Sequence, residues 1–354
     1  MRISAIGDEK EKRVAITPEI AKKYQELGLE VIIPQNIGIL AGFHDDDYLA
    51  AGATIWKKKS VPDADLYVGV KPSLMKELKL PIGSYLIALL SPLQNQKILE
   101  QMGKVGINLC ALEKIPRITR AQSMDVLSSQ ANIAGYRAVL EALHEYRRVV
   151  PLLMTAGGTI RPARVLVLGA GIAGLQAIAT AKRLGAVVSA YDVRAAAKEQ
   201  VESLGVNFIE VKKQDDGEAI DGYAKEMNED YQKRQEEKLA QVIAQMDIAI
   251  TTAQIPGKPA PKLITKDMVK SMPAGAVIVD MATESGGNCE LSEKDKVIKV
   301  DNVTIIGYGD LAARVTQDSS RLFSRNVFNF VSLMINEGKI DILDEIVKAT
   351  FVGG

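Results

Sequence analysis

A glycine-rich turn between an apolar run and a helical pattern constrains the fold more than any other feature of this 354-residue chain. The run Arg164–Leu168 predicts a buried strand, and the sequence continues as GAGIAG over residues 169–174. Gly169 permits a tight turn, Gly171 lets a ligand approach the backbone, and Gly174 lets the helix pack closely on the strand. Free N–H groups and the positive end of the helix dipole favour a pyrophosphate there. The pattern predicts a parallel α/β unit that binds a dinucleotide.

The residues at the end of the next strand predict which dinucleotide binds. Asp192 follows the apolar run Val187–Tyr191, and a carboxylate there accepts hydrogen bonds from the ribose hydroxyls and repels a 2′-phosphate. Arg194 leaves NADP open as the alternative, because an arginine in this place can hold that phosphate. We expect NAD(H), with Ile172, Asp192, Val193 and Arg194 joining the glycines in contact with it.

A second candidate segment follows a later strand of the same predicted sheet. The sequence TTAQIPG, residues 251–257, follows the apolar run Ile248–Thr251. Ligands of open parallel sheets bind beyond the carboxyl ends of the strands, so backbone groups of Ala253 and Gln254 are expected near the nicotinamide ribose. An ordinary Pro-Gly turn is the alternative.

The remaining sequence alternates short apolar runs with helical patterns, which is typical of an α/β protein. Thr17, followed by Pro and Glu, favours a helix start with Thr17 as its cap, and this helix ends at Gly28. Residues 312–337 are expected to be largely helical. Further strands are expected at Ile3–Ile6, Val31–Pro34, Leu66–Val70, Tyr85–Leu90, Ile107–Leu112, Asn207–Val211, Val277–Asp280 and Thr304–Gly307.

Two longer segments lack strand patterns. Residues 129–148 form one helical pattern. Its apolar face contains Ile133, Tyr136, Leu140 and Leu143. Residues 212–238 carry many charges of both signs and few large apolar residues, which is typical of a solvated helix or loop. A mobile flap over a ligand is the alternative for this charged run.

The composition excludes several other classes of protein. Hydrophobic residues make up 47% and charged residues 25%, as in globular chains rather than disordered or fibrous ones. Lys and Arg together number 44, as do Asp and Glu, so no net charge favours nucleic acid or an anionic membrane. The two cysteines, Cys110 and Cys289, indicate a reducing compartment, and no apolar run approaches the roughly 20 residues that span a bilayer. We therefore expect a cytoplasmic protein with no metal site, no nucleic-acid partner and no membrane-inserted segment.

Several motifs, taken together, are similar to those of the alanine dehydrogenase/transhydrogenase superfamily. They are RVAITP at 13–18, Lys71-Pro72, the glycine turn at 169–174, IPGKPAP at 255–261 and DMATESGG at 280–287. The resemblance covers nearly the whole chain and implies an α/β fold of two Rossmann-like open parallel-sheet domains with a cleft between them. The first domain is discontinuous, 1–128 with 312–354, and is closed by a long C-terminal helix. The second, 129–311, is the NAD-binding domain.

One loop carries a more specific resemblance. The segment RITRAQSMDVLSSQANIAGYR, residues 117–137, resembles the signature loop of the NAD(H)-binding components of proton-translocating nicotinamide nucleotide transhydrogenases. The resemblance places four residues near the nicotinamide, namely Arg117, Gln122, Asp125 and Ser128. Arg, Gln and Ser side chains together supply the donors and acceptors that a carboxamide needs. A structural linker in which Arg117 pairs with Asp125 is the alternative.

The charged run contains a second such resemblance. The sequence DGYAKEM, residues 221–227, is similar to the family's mobile loop, whose Tyr and Met close over bound nucleotide. On this basis Tyr223 and Met227 join the expected cofactor contacts, and 212–238 is a flap rather than a solvated run. Closure of a flap excludes water from the reacting rings.

The resemblance implies a hydride-transferring enzyme that depends on partners. The chain is expected to bind NAD(H) and to exchange hydride with NADP(H) on a partner subunit, while a membrane-spanning partner couples the transfer to proton movement. The chain itself is expected to be a homodimer, peripheral to the inner membrane through these partners. The sequence has one convincing dinucleotide fingerprint and no membrane span, so the NADP site and the proton path are expected on other chains.

Two other functions remain open at this stage. Alanine dehydrogenases share the superfamily, but they carry a catalytic histidine after the strand that matches Tyr85–Leu90, and the residues near Leu89 are apolar here. His44 and His144 lie elsewhere in the sequence and are expected at the surface. Arg13 and Lys71 could hold a substrate carboxylate, or act as ion-pair partners. A non-enzymatic NAD sensor is the third possibility.

Overall fold

The computed structural model describes residues 1–7, 11–58, 60–72, 78–210, 229–255, 257–336 and 338–353. The chain divides into two compact units, one made of 1–131 with 312–354 and the other of 132–311. Helix α4, Val126–Glu145, carries the chain from the first unit into the second.

The first unit is built on a sheet of seven described strands. These are β1 Arg2–Ala5, β2 Glu30–Pro34, β3 Thr54–Trp56, β4 Leu66–Val68, β5 Tyr85–Ala88, β6 Asn108–Ala111 and, from the end of the chain, β18 Phe351–Val352. Their order is β18-β6-β5-β4-β1-β2-β3. The helices of this unit are α1 Pro18–Glu26, α2 Asp45–Ala50, α3 Pro92–Lys104, α9 Thr316–Leu333 and α10 Glu345–Thr350. A short hairpin, β16 Ile335–Asn336 with β17 Lys339–Ile340, follows α9.

The core of this unit joins the sheet to the returning helix α9. Ile3 and Ile87 from the sheet pack with Phe323 and Phe330 of α9, and all four side chains are fully buried. The strands read as continuous apolar runs because helices cover a parallel sheet on both faces. Thr17 is the N-cap residue of α1, as expected, but its hydroxyl pairs with that of Ser324 on α9 and makes no capping hydrogen bond.

The second unit has a sheet of the same size. Its described strands are β9 Arg164–Leu168, β10 Val187–Tyr191, β11 Asn207–Phe208, β12 Ile248–Thr251, β13 Val277–Asp280, β14 Val297–Val300 and β15 Val303–Ile306, in the order β11-β10-β9-β12-β13-β15-β14. Its remaining helices are α5 Ile172–Arg183, α6 Ala196–Ser203, α7 Glu229–Ile243 and α8 Lys266–Ser271. A hairpin, β7 Leu153–Thr155 with β8 Gly158–Ile160, precedes β9. The strand order reverses between β9 and β12, which is where ligands bind in such sheets.

The predicted fold class, an α/β protein with two mostly parallel open sheets, is confirmed, with one correction at the sheet edges. β14 pairs antiparallel with β15, and β18 pairs antiparallel with β6, so neither sheet is wholly parallel. The strands β3, β14 and β18 were not predicted. Each is a short edge strand that is partly exposed, so it lacks the continuous apolar run of a central strand.

Helix α4 begins three residues earlier than expected, and the predicted face is only partly right, since Ile133 is buried and Leu143 packs against the core. Tyr136 is 41% exposed, whereas the buried face runs through Gly135, Ala138 and Ala142. A Cβ added to Gly135 would lie 2.1 Å from the carbonyl oxygen of Ala173, so α4 meets α5 at nearly backbone contact. Small residues make this approach possible, and a pattern of large apolar residues at helical spacing therefore misses this part of the buried face.

The end of the charged run 212–238 belongs to a helix. Residues 229–243 form α7, and Gln235, Leu239 and Ile243 are buried along one side of it. Residues 229–238 of the predicted flap thus lie in this helix, and residues 212–228 lie outside the described residues. Tyr223 and Met227 lie outside the described residues.

The described residues provide neither a membrane-spanning helix nor a cluster of metal ligands. None of the described helices is long and apolar enough to cross a membrane. The described residues contain no group of three or more His, Cys, Asp or Glu side chains that could hold a metal ion.

Two buried tyrosines of the first unit provide a matched test of the packing. The Tyr24 hydroxyl has no hydrogen-bond partner among the described residues, whereas the Tyr48 hydroxyl donates to the Ile16 carbonyl at 2.8 Å. We expect Tyr24→Phe to keep or raise the free energy of unfolding, because it removes a buried polar group without a partner. Tyr48→Phe should lower it by about 1 kcal/mol or more, because the Ile16 carbonyl loses its partner. Urea unfolding of both variants would measure this, and an equal loss in the two would contradict the assignment.

Candidate functional site

The glycine turn lies at the switch point of the second sheet, between β9 and α5. Gly169 has a φ of +103°, a conformation that side chains other than glycine rarely adopt. A Cβ on Gly174 would lie 1.8 Å from the Gly169 carbonyl oxygen, so helix and strand meet at backbone contact. A Cβ on Gly171 would meet no described atom within 4 Å. The protein therefore requires glycine at 169 and 174 for its own packing, while the approach to Gly171 is open for a ligand.

Asp192 is fixed directly after β10, beside this turn. Its carboxylate accepts hydrogen bonds from the Ala170 N–H at 2.7 Å and from the Arg194 N–H at 2.8 Å. The Arg194 guanidinium adds two more, from Nε at 3.1 Å and Nη2 at 3.0 Å. The Asp192 side chain is 7% exposed and that of Arg194 is 60% exposed. Asp192 favours NAD in the sequence analysis and Arg194 favours NADP, and the structure pairs the two residues as ions.

The ionisation of Asp192 follows from these contacts. Burial raises the pKa of this carboxyl, but the hydrogen bonds from Arg194 and from the Ala170 and Arg194 backbone outweigh that effect and hold the pKa below its usual value. The group is a carboxylate near neutral pH. Ile172 and Val193, which flank the turn and the acid in sequence, are 45% and 57% exposed.

Ala253 and Gln254 follow β12 at the same edge of the sheet. The N–H of Ala253 donates to Asn288 Oδ1 at 3.1 Å, and the Ala253 carbonyl accepts from Asn288 Nδ2 at 2.8 Å. The Gln254 side chain donates to the Met281 carbonyl at 3.0 Å. The N–H of Ala253 is therefore already bonded within the protein, and a nucleotide contact of this residue would involve its carbonyl or its methyl group.

The loop that resembles the transhydrogenase signature belongs to the first unit. Residues 119–124 form a 3₁₀ helix whose Ala121 and Met124 side chains are buried. Arg117 and Gln122 are exposed. Buried anchors on either side of Gln122 thus hold the turn while its amide side chain remains accessible.

Asp125 organises the end of this loop and the start of α4. Its carboxylate accepts hydrogen bonds from the Ser128 N–H at 2.9 Å and from the Ser128 hydroxyl at 2.5 Å, which is the pattern of a helix N-cap. The alternative in which Arg117 pairs with Asp125 is wrong, since the described side chains place Ser128 there instead. By accepting these two hydrogen bonds, the Asp125 carboxylate fixes the shape of the loop.

Helix α9 holds the loop from the other side. The Asn326 and Asn329 amides both donate to the Ser123 carbonyl, at 2.8 and 3.0 Å, and the Ser129 hydroxyl donates to Asn326 Oδ1 at 2.6 Å. Sequence reasoning missed both asparagines. The available signal was a pair of amide side chains three residues apart on a helix that is otherwise amphipathic.

Residues that could support amino-acid chemistry are arranged differently. The Arg13 guanidinium, 2% exposed, is paired with Glu11 at 2.8 Å and also donates to Gln130. The strand β5 is followed by Leu89 and Leu90, and His44 and His144 are exposed at helix ends. The charge of Arg13 is thus compensated within the protein, as expected for an ion-pair partner.

A reversed parallel strand order, a glycine turn at the reversal and an acid after the next strand define a Rossmann-type α/β protein. A family model described as "Alanine dehydrogenase/PNT, C-terminal domain" matches residues 138–352, and "Alanine dehydrogenase/PNT, N-terminal domain" matches residues 7–134. The chain belongs to this family, and the resemblance expected from its motifs is confirmed.

Individual relatives refine the comparison. The first part of the NAD(P) transhydrogenase alpha subunit of Rhodospirillum rubrum is 48% identical over 356 residues, covering 97% of this chain and 93% of the relative. The crystal structure of a transhydrogenase from Sinorhizobium meliloti has a TM-score of 0.90 and 43% identity, covering 99% of this chain and 98% of that chain. Alanine dehydrogenase 1 of Staphylococcus aureus is 27% identical over 339 residues, covering 93% of this chain and 85% of the relative. The chain is thus more similar to the two transhydrogenase proteins than to this alanine dehydrogenase.

Two glycine variants test which glycine of the turn is required for packing and which one faces open space. Gly174→Ala should lower the free energy of unfolding by about 2 kcal/mol or more, because its Cβ would overlap the Gly169 carbonyl. Gly171→Ala should change it by less than about 0.5 kcal/mol, because the added methyl meets no described atom and the backbone φ of −76° suits alanine. Urea unfolding measures both. A large loss for Gly171→Ala would show that the approach to Gly171 is closed by protein.

Proposed function

We propose that this chain is the NAD(H)-binding component of a proton-translocating transhydrogenase. It exchanges hydride between its own NAD(H) and NADP(H) bound on a partner subunit, and a membrane-spanning partner couples this transfer to proton movement. The observation that carries the proposal is the open approach to Gly171 at the start of α5, with Asp192 buried beside the same turn. The similarity to transhydrogenase subunits over nearly the full chain supports the same function.

The residues of the second unit suit an NAD molecule. The first N–H groups of α5 and the positive end of its dipole face the space in front of Gly171, which suits a pyrophosphate. Asp192 would hold the adenosine ribose, and Ala253 with Gln254 would contact the nicotinamide ribose. The bound nicotinamide supplies the hydride chemistry, while this chain binds and orients it.

Asp192 can accept hydrogen bonds from the ribose hydroxyls only if the Arg194 guanidinium releases its carboxylate oxygens. Four hydrogen bonds already occupy the carboxylate oxygens, two of them from the exposed guanidinium. A ribose diol would replace the guanidinium and keep the two backbone bonds. A 2′-phosphate would instead bring a dianion next to a carboxylate that is held in its charged form.

The loop of the first unit would orient the reacting ring. Arg117 and Gln122 are exposed and offer the donors and acceptor that a carboxamide needs, while Asp125 and Ser128 hold the loop in shape. Hydride passes between two rings directly, so no general acid is required at the reacting carbon. Orientation therefore dominates the rate.

Alanine dehydrogenase activity is the second candidate, because the family includes both activities by name. Oxidative deamination requires an acid or base beside the substrate carbon. The described residues after β5 are apolar, and Arg13 is already paired with Glu11. These two observations favour the transhydrogenase over the dehydrogenase.

A homodimer is part of the proposal, and the hairpin of β7 and β8 is its candidate surface. Leu153, Met154 and Ile160 on this hairpin are 37%, 77% and 41% exposed, and Leu152 before it is 52% exposed. An isolated two-stranded hairpin is marginally stable, and an exposed apolar patch marks an interaction site. A second copy of this chain is the proposed occupant.

Titration calorimetry with NADH and NADPH tests the nucleotide assignment. Wild type should bind NADH more tightly than NADPH by about 5- to 150-fold, the equivalent of roughly 1–3 kcal/mol for a phosphate against a carboxylate. Asp192→Asn should reduce the ratio of the two affinities. Arg194→Ala should preserve it, and Gly171→Ala, which keeps the fold, should bind neither nucleotide well. Equal wild-type affinities would transfer the assignment to Arg194 and NADPH.

Single-turnover kinetics with the NADP(H)-binding partner tests the loop. Gln122→Asn should slow hydride transfer by about 100-fold while NADH affinity stays nearly unchanged, because a ring displaced by about 1 Å loses alignment. Addition of alanine and NAD⁺ to the wild-type chain should form no NADH. An unchanged rate in Gln122→Asn would refute the role of the loop, and alanine-dependent NADH formation would favour the dehydrogenase.

Sedimentation velocity tests the hairpin surface. Met154→Lys should shift the protein from dimer to monomer, because a charge in the centre of an apolar contact is costly to bury. Ile82→Lys is the matched control, since Ile82 is 84% exposed but lies away from the hairpin in sequence and belongs to the other unit. A dimer that survives Met154→Lys but dissociates in Ile82→Lys would place the interface elsewhere.

A further inference from the structure

A single peptide unit in the glycine turn is held at both ends. The carbonyl of Gly169 accepts a hydrogen bond from the Thr252 hydroxyl at 3.0 Å. The N–H of Ala170, in the same peptide, donates to Asp192 at 2.7 Å. A peptide unit is planar, so fixing its two ends fixes the direction of the whole turn. Thr252 and Asp192 therefore hold the same peptide unit from its two sides.

Thr252 is tied to the end of β9 through its backbone as well as through its side chain. Its N–H donates to the Leu168 carbonyl at 2.8 Å, at the end of β9. A Cβ built on Gly169 would lie 2.5 Å from the Thr252 hydroxyl oxygen, so the side chain rests directly against the turn. The residue that follows β12 thereby sets the conformation of the turn that follows β9.

Asn288 secures the next residue in the same way. Its side chain is fully buried, and besides its two bonds to the backbone of Ala253 it donates to the Pro261 carbonyl at 2.8 Å. Its own carbonyl accepts from the Leu263 N–H at 2.7 Å. A side-chain amide here mimics a strand partner for Ala253, where the sheet has ended. Residues 252 and 253 are thus held from two directions.

We propose that Thr252 and Asn288 are positioning residues for the nucleotide, acting through the turn and through Asp192 rather than by touching the ligand. This rests on the proposed nucleotide site. When the Thr252 hydroxyl is lost, the Gly169–Ala170 peptide loses the hydrogen bond at its carbonyl end, and the N–H that holds the Asp192 carboxylate is fixed less firmly. Both the affinity for NADH and its preference over NADPH then fall.

The test compares three threonine variants of the full-length chain by calorimetric titration with NADH and NADPH. Thr252→Val keeps the shape and removes the hydroxyl, and Thr252→Ser keeps the hydroxyl. Thr180→Val is the matched control, because Thr180 is a buried threonine on α5 whose hydroxyl donates to the Gln176 carbonyl at 2.8 Å, away from the turn. Thermal unfolding of each variant separates lost stability from lost affinity.

Thr252→Val should raise the Kd for NADH about 3- to 10-fold, the worth of one hydrogen bond, and should narrow the preference over NADPH. Thr252→Ser should restore both, and Thr180→Val should lose stability without losing either. Asn288→Asp, which turns the donor to Ala253 into an acceptor, should weaken NADH binding as well if it folds. NADH binding by folded Asn288→Asp within about twofold of wild type would remove Asn288 from the inference.

Two results would overturn the inference. One is NADH binding by Thr252→Val within about twofold of wild type. The other is an equal loss in Thr180→Val, which would show that the effect is general destabilisation. Failure of the wild type to bind NADH at all is distinguishable from both, since it would refute the proposed function itself.

Discussion

Backbone contact between Gly174 and the Gly169 carbonyl is the constraint on which the second unit depends. It sets α5 against the end of β9 without a side chain between them. The same helix then receives α4 at a second close approach, where Gly135 meets the Ala173 carbonyl. Because each contact is at backbone distance, no side-chain adjustment can absorb an error in it. The N-terminus of α5 is therefore held where its free N–H groups face an open approach.

Both candidate regions follow one rule, although they belong to different units. In each region, backbone groups are bonded to buried or half-buried amide side chains, and in the first unit Arg117 and Gln122 remain exposed. Asn288 satisfies Ala253, and Asn326 satisfies Ser123. Gln122 is thus carried on a turn whose own hydrogen bonds are already made. Such preorganisation is what a reaction governed by orientation requires.

The sequence predicts the centre of each sheet better than its edges. The bounds predicted for β9, β10, β12 and β13 coincide with the structure, because buried parallel strands are continuous apolar runs. Edge strands such as β14 alternate in burial and carry no such signal. The buried face of α4 was predicted only in part, because Gly135 and Ala142 contribute to it by their small size and give no apolar signal. Asn288 was not predicted, because a buried amide that bonds backbone 35 residues away leaves no local pattern.

The pairing of Asp192 with Arg194 changes what this acid can contribute. In the proposed nucleotide site, a ribose diol would not add hydrogen bonds to a free carboxylate. It would replace two bonds from a guanidinium, which are stronger because they carry charge. The exchange therefore adds little to the affinity for NADH. A 2′-phosphate faces the same loss of the ion pair and, in addition, repulsion from the carboxylate. Under the proposed function, Asp192 would thus contribute more to discrimination between nucleotides than to tight binding, which would suit a protein that releases its dinucleotide in every catalytic cycle.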